Sequence, residues 1–388
     1  MFLAGKRSAL PPVDGSGHGT HAASIAAGNF VDHASVLGGA NGTASGMAAK
    51  AHLAIYRASS STADLLKAMD QAIIDGVTVL SVSQGTPEFG QVFRHPLTIG
   101  ILSVVENEIF ACTVAGNEGP SRDQNLDHSE PWLLPLVYPG INGDSDDAEQ
   151  CIRDSLEYID GKGKIVLCAV ETIKDVDKGR QVYREGAAGM ILMDDSRGDP
   201  HAEGHVLPVS YVSFVDGEKI KSCIRSMKDS TPNATIVFKG TQFGYRPSPM
   251  VATISSRGPN FLNGGILKPD VLAPGVNILG AWPRAVGPNP SELAIATFNI
   301  KTGTSMAAPH ASGIAALIKN KHPSWSPAYI RSAIITSATS LDLDGNPIVD
   351  ENTGSPADIF DIGAGQVRPW AAMDPGLIYD LDAGDYIG

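Results

Sequence analysis

Gly303-Thr304-Ser305-Met306-Ala307-Ala308-Pro309-His310 decides how the rest of the chain is read. A turn of small residues carries one serine straight into an apolar, small-residue segment, Ala308 to Lys319, which predicts a helix. Such a turn lifts a hydroxyl to a helix N-terminus, where backbone N–H groups point outward and favour negative charge. The same groups suit a developing oxyanion, so Ser305 is a candidate nucleophile. A serine in this place also works as a plain helix cap. What else the chain supplies must separate the two roles.

Two other stretches bear on that choice. Gly17-His18-Gly19-Thr20-His21 supplies a histidine at the start of another predicted helix, and Ala115-Gly116-Asn117-Glu118-Gly119-Pro120 supplies an amide in a glycine turn after an apolar run. A serine hydroxyl is a poor nucleophile at neutral pH and needs a base within hydrogen-bond reach. In the order His, Asn, Ser, the three motifs resemble the subtilase family of serine proteases, in its plant-type branch. The resemblance implies an α/β fold: a subtilisin-like three-layer αβα arrangement on a parallel sheet, with an inserted β-rich protease-associated domain. It implies a serine endopeptidase acting on peptide bonds without a cofactor or metal. Residue by residue, it implies His18 as general base, Ser305 as nucleophile, and Asn117 with the Ser305 backbone N–H as oxyanion hole. The strand carrying Ser81, Ser83 and Gly85 would pair with substrate.

Three departures from the family pattern stand out. The family's catalytic Asp lies in a D-[ST]-G context well before the histidine, and no such stretch precedes His18. Asp14 is too close in sequence and reads as a loop or cap carboxylate. Breaking the Asp–His link in serine proteases costs roughly 10⁴ in kcat, or about 5–6 kcal/mol of barrier. An impaired peptidase is therefore expected, with a non-catalytic binding or decoy remnant as the alternative. After Glu130-Pro131-Trp132-Leu133-Leu134 the chain runs directly into Pro135-Leu136-Val137-Tyr138-Pro139-Gly140, where the family continues with further core strands. An open sheet edge is expected there. Finally, Ser81-Val82-Ser83-Gln84-Gly85-Thr86 carries Gln84 in place of a small apolar residue; it either narrows the first specificity pocket or faces solvent. His21 and His310 read as structural, Glu118 as a solvated loop residue, and Asp270 as a hydrogen-bond acceptor at a turn or strand end.

The remaining pattern divides the chain into 1–134, 135–240 and 241–388. Apolar spacing predicts helices over His18–Ala27, Ala63–Asp75 (capped by Thr62) and within Pro96–Glu106. Strands are expected at His52–Arg57, Val77–Ser83 and Ile109–Ala115, and a loop over 29–50. Strands alternating with helices imply a parallel sheet whose site lies at the strands' carboxyl ends. The middle segment resembles the protease-associated insertion at Gly161-Lys162-Gly163-Lys164-Ile165-Val166-Leu167-Cys168. Its expected strands are Lys164–Cys168, Gly189–Met193, Val206–Val212 and Ala234–Lys239, with a helix at Val176–Glu185. Pro327 at a first helical position starts another helix.

Net charge is -13, with no block of Lys or Arg. That disfavours nucleic acid or an anionic membrane as partner. No apolar run approaches the roughly 20 residues that span a bilayer. Met1-Phe2-Leu3-Ala4-Gly5-Lys6-Arg7 has charge where a signal peptide carries its apolar stretch, although the resemblance implies an extracellular protein. Asn41-Gly42-Thr43 and Asn233-Ala234-Thr235 match glycosylation triplets. Four cysteines, Cys112, Cys151, Cys168 and Cys223, show no zinc spacing. Cys151 can pair with Cys168, or all four can stay as thiols. A homodimer through the insertion is the expected assembly.

Overall fold

The computed structural model describes residues 13–58, 61–84, 95–117, 133–141, 146–152, 155–156, 160–169, 175–193, 203–227, 231–237, 244–259, 267–287 and 296–381. Gly85, Thr86, Glu118 and the stretch 130–132 lie outside them.

Helix α1 (His18–Ala27) leads into a hairpin of β1 (Val31–Val36) and β2 (Gly39–Ala44). The loop expected over 29–50 is thus corrected. Leu37 and Gly38 both take positive φ, 50° and 91°, between the paired Val36 and Gly39. A two-residue turn of that kind matches the twist of antiparallel strands. The glycine-rich, polar composition hid the strands because both carry many exposed residues.

Helix α2 (Thr62–Ile74) is capped by Ser61, whose hydroxyl accepts from Asp64 N, rather than by Thr62. Strand β3 (Val79–Val82), helix α3 (Pro96–Glu106) and strand β4 (Phe110–Thr113) form a parallel βαβ unit, with Val79 opposite Phe110 and Val82 opposite Thr113. Side chains alternate across the two strands. Leu80, Val82, Ile109 and Ala111 pack against Met69 of α2 and Val104 of α3. Val79, Phe110 and Cys112 face the other way, onto Ile314, Ile318, Ile330 and Ile334. These belong to α7 (Thr304–Lys321) and α8 (Pro327–Ser337), so this part has three layers.

His52–Arg57 is not a strand. Leu53 and Ile55 are 51% and 56% exposed. An apolar run needs a neighbour to pair with, and among the described residues β3 pairs with β4 alone. Helix α7 begins at Thr304, not at Ala308, which puts Ser305 in its first turn. It crosses α1 closely at Gly313, where a Cβ would stand 2.5 Å from Met47 Cβ and 2.7 Å from Ala26 O.

The middle segment is an α/β unit, not a β-rich one. Strands β5 (Leu134–Val137), β6 (Ile165–Ala169), β7 (Gly189–Met193), β8 (Val209–Val212) and β9 (Asn233–Ala234) form one sheet in the order β8-β7-β6-β5-β9. All pairs are parallel except β5–β9. Beside the short α4 (Asp146–Glu149), helix α5 (Asp175–Arg184) lies on one face and α6 (Phe214–Ser226) on the other. Every residue of β6 and β7 is buried, as expected for parallel strands covered on both sides. A disulfide joins Cys151 to Cys168, with Cα atoms 5.6 Å apart; Cys112 and Cys223 are free.

The last part carries β10 (Met250–Val251), β11 (Ile278–Ala281), β12 (Phe298–Lys301), β13 (Val349–Asp350), α9 (Ile359–Ile362) and α10 (Pro369–Ala372). Strands β11 and β12 pair antiparallel just before α7; β11 packs against α1 and β12 against β1.

Candidate active site

His18 is the first residue of α1. The helix cap, Gly17, has φ 88° and makes no side-chain bond. A Cβ there would stand 2.3 Å from Trp282 Cζ2, so the ring of Trp282 fixes this position as glycine. Asp14 supplies the missing cap. Its Oδ1 accepts from Ser16 N at 2.9 Å and Gly17 N at 2.8 Å, and its Oδ2 accepts from Thr20 N and Thr20 Oγ1, both at 2.8 Å. Burial opposes the charge, but these four donors outweigh it and hold the carboxyl well below the ordinary carboxylate range. Asp14 is therefore a cap carboxylate, as its sequence position predicted.

The His18 side chain is exposed, though neighbouring protein displaces part of its water. That partial loss of water lowers its pKa from the ordinary 6.5, and the Asp14 charge partly offsets the effect. His21, one turn on, is fully buried. Its Nε2 lies 3.0 Å from Ile278 O and 3.2 Å from Asn299 O, and its ring meets Trp282 edge-on at 6.0 Å. It ties α1 to β11 and β12, which is a structural role.

Ser305 is half-buried. Its Oγ donates to Ser83 O at 3.3 Å, and Ser83 Oγ donates back to Ser305 O at 3.0 Å. Among the described residues no hydrogen bond joins Ser305 to His18. Asn117 follows β4 on an exposed turn. Its Oδ1 accepts from Thr304 N at 2.8 Å and Thr304 Oγ1 at 2.9 Å. Both bonds fall on the oxygen, so the amide nitrogen keeps its donors for another acceptor. That nitrogen stands 3.4 Å from the Cβ position of Gly303. An amide donor and a helix N-terminus beside one hydroxyl can stabilise an oxyanion.

The structure thus brings Ser305, Asn117 and Ser83 together at the carboxyl ends of β3 and β4. Ser81, on β3 and two residues before Ser83, is exposed; Gln84 is half-buried. His310 Nδ1 lies 2.8 Å from Met306 O within α7, a packed position. Asp270 is ion-paired with Lys268 at 2.5 Å and Arg331 at 2.7 Å rather than merely ending a strand. Sequence reasoning missed Thr304, which orients Asn117, and Trp282, which seats Gly17. Lys301 stands 5.7 Å from the Trp282 ring and pairs with Glu203 at 2.9 Å, linking the middle unit to this scaffold. Among the described residues no group of His, Cys, Asp and Glu could hold a metal ion.

Subtilisin-like protease SBT1.5 of Arabidopsis thaliana is 41% identical over 97% of this chain and 55% of its own length. Subtilisin-like protease SBT1.7 of Arabidopsis thaliana is 39% identical over 100% of this chain and 58% of its own. The chain spans a little over half the length of these relatives. The solved structure of the prenylagaramide maturation protease PagA aligns with a TM-score of 0.42 and 18% identity, covering 92% of this chain and 82% of that one. The family model for Peptidase S8 matches residues 9–355, across all three motifs. On that match, the chain belongs to the subtilase family.

Proposed function

We propose that the chain carries the nucleophile, base and oxyanion donors of a serine endopeptidase. Ser305 Oγ attacks the scissile carbonyl carbon while a His18 ring nitrogen takes the hydroxyl proton. The oxyanion is held by Asn117 Nδ2 and the Ser305 backbone N–H. Collapse expels the amine, which receives the proton from His18 and leaves an acyl-enzyme for water to hydrolyse. The carrying observation is the pinned Asn117 amide beside the Ser305 helix N-terminus. Residues Ser81, Ser83 and Gly85 would run alongside the substrate peptide, adding it as a strand.

Asp14 is not the third member, because its oxygens are committed to backbone and Thr20 donors. Among the described residues no carboxylate bonds the His18 ring; where the Asp–His link is broken, turnover is slower by roughly 10⁴ than in an intact triad. A second reading, a non-catalytic binding or decoy protein, draws on the Ser305 hydroxyl resting on Ser83 O rather than on His18. A fluorophosphonate probe on the folded chain, beside Ser305→Ala, decides between them. Labelling lost in the alanine variant supports the peptidase. A folded chain that stays unlabelled supports the binding protein.

The unit over 135–240 has apolar clusters on both faces of its sheet and an edge at β8. We propose that edge as the place where two copies pair, to be read by sedimentation equilibrium. An oxidising, extracellular location fits the Cys151–Cys168 disulfide and the exposed Asn41 and Asn233. Among the described residues no helix is long and apolar enough to cross a membrane.

A further inference from the structure

Helix α7 contains Pro309 in its second turn. Proline has no N–H, so it cannot bond the carbonyl four residues earlier. That carbonyl belongs to Ser305. The nucleophile's own peptide oxygen therefore lacks the donor that every ordinary helical position supplies. Ser83 Oγ donates to this oxygen at 3.0 Å, from the residue that follows β3. Both residues are half-buried, where an unpaired carbonyl is costly. The return bond, Ser305 Oγ to Ser83 O, makes the contact reciprocal.

We infer that the Ser83 hydroxyl stands in for the N–H missing at Pro309 and is a positioning residue for Ser305. It ties the first turn of α7 to the end of β3, and so sets where the Ser305 hydroxyl and N–H point. Ser83 was expected only to line the substrate; this role acts through the nucleophile's backbone. It deepens the peptidase reading above and rests on it for the effect on rate, but not for the bond itself.

The test is a double-mutant cycle in the full 388-residue chain: wild type, Ser83→Ala, Pro309→Ala, and both together. Pro309→Ala returns an N–H to Ser305 O, and alanine is well tolerated in a helix. Fluorophosphonate labelling is measured as a rate at saturating probe and as a half-saturating concentration, with urea midpoints on the same samples. We expect Ser83→Ala to slow the saturated rate about tenfold, and only about twofold in the Pro309→Ala background. The half-saturating concentration should hold, and Ser83→Thr, which keeps a hydroxyl, should restore most of the rate. Equal losses in both backgrounds, or no loss, overturn the inference. If no variant labels, the peptidase reading has failed and the midpoints decide alone. A Ser83→Ala destabilisation that vanishes with Pro309→Ala then supports the substitution of hydroxyl for N–H, and one that persists unchanged overturns it.

Discussion

Asn117 Oδ1 accepts two hydrogen bonds from Thr304, from its backbone N–H at 2.8 Å and its hydroxyl at 2.9 Å. Two donors on one oxygen leave a single sensible orientation for the amide, with Nδ2 turned toward the head of α7. If that nitrogen binds the oxyanion, Asn117→Ala removes one pre-placed donor. The expected loss in acylation rate at saturating probe or substrate is roughly 10²–10³. The same change leaves the Thr304 N–H and hydroxyl without their acceptor, so a modest fall in the thermal midpoint should accompany the rate loss. An unchanged acylation rate would remove Asn117 from the machinery.

If His18 is the general base, its ring sets the pH dependence. Its pKa lies below 6.5 because neighbouring protein displaces part of its water, with Asp14 opposing. Below the midpoint the ring is protonated and cannot take the Ser305 proton; above it the ring is neutral and can. The acidic limb of the labelling rate should therefore have a midpoint below 6.5. Asp14→Asn keeps one capping oxygen and removes the charge that raises the pKa, so its limb should shift further to acid. A limb at or above 6.5 in the wild type would contradict this environment for the ring.

The subtilisin-like fold was legible because its signals are local. The helices over His18–Ala27 and Pro96–Glu106 and the strands at β3, β4, β6 and β7 announce themselves by apolar spacing and bounding glycines. The misreadings have physical causes too. His52–Arg57 has the composition of a buried strand, but pairing is a tertiary property, and no partner strand stands beside it among the described residues. The β1–β2 hairpin is mostly exposed, so hydrophobic alternation could not reveal it; only the Leu37–Gly38 turn could have. At the candidate site, the placing of Ser305 at a helix start and of Asn117 on the turn after β4 was readable from the sequence. The Thr304 bonds to Asn117 and the Ser83 bond to Ser305 span about two hundred residues of sequence and needed the fold.

The Cys151–Cys168 bridge closes a sequence separation of 17 residues on the sheet's α5 face. Constraining a loop of that size in the unfolded chain contributes about 3 kcal/mol in the chain-entropy account. Reduction, or Cys168→Ser, should lower the unfolding free energy of the middle unit by that order, read in urea from its Tyr138 and Tyr211, while Trp282 and Trp325, outside it, report less change. Equal shifts at both sets of probes would mean that the two parts unfold together.

His205 makes the same unit sensitive to acid. It is packed against Gly179, with Nε2 2.8 Å from Tyr211 Oη and Nδ1 buried without a partner among the described residues. Burial pushes its pKa down to about 4, and the nearby Glu203 charge offsets this only in part. A histidine with a depressed folded pKa binds its proton more readily when unfolded. Its contribution is thus fully present above the ordinary 6.5 and is lost as pH falls from there toward 4. The shift corresponds to about 3 kcal/mol at most. Between pH 7 and pH 4.5 the urea midpoint should fall, and His205→Gln, which can still bond Tyr211 but cannot take a proton, should flatten most of that fall. Protonation would also bring a positive charge within reach of Glu203, the residue that pairs with Lys301 and joins this unit to the Ser305 scaffold. A wild-type midpoint that stays level across this range, or a variant that falls as steeply, would mean that the ring is hydrated rather than enclosed.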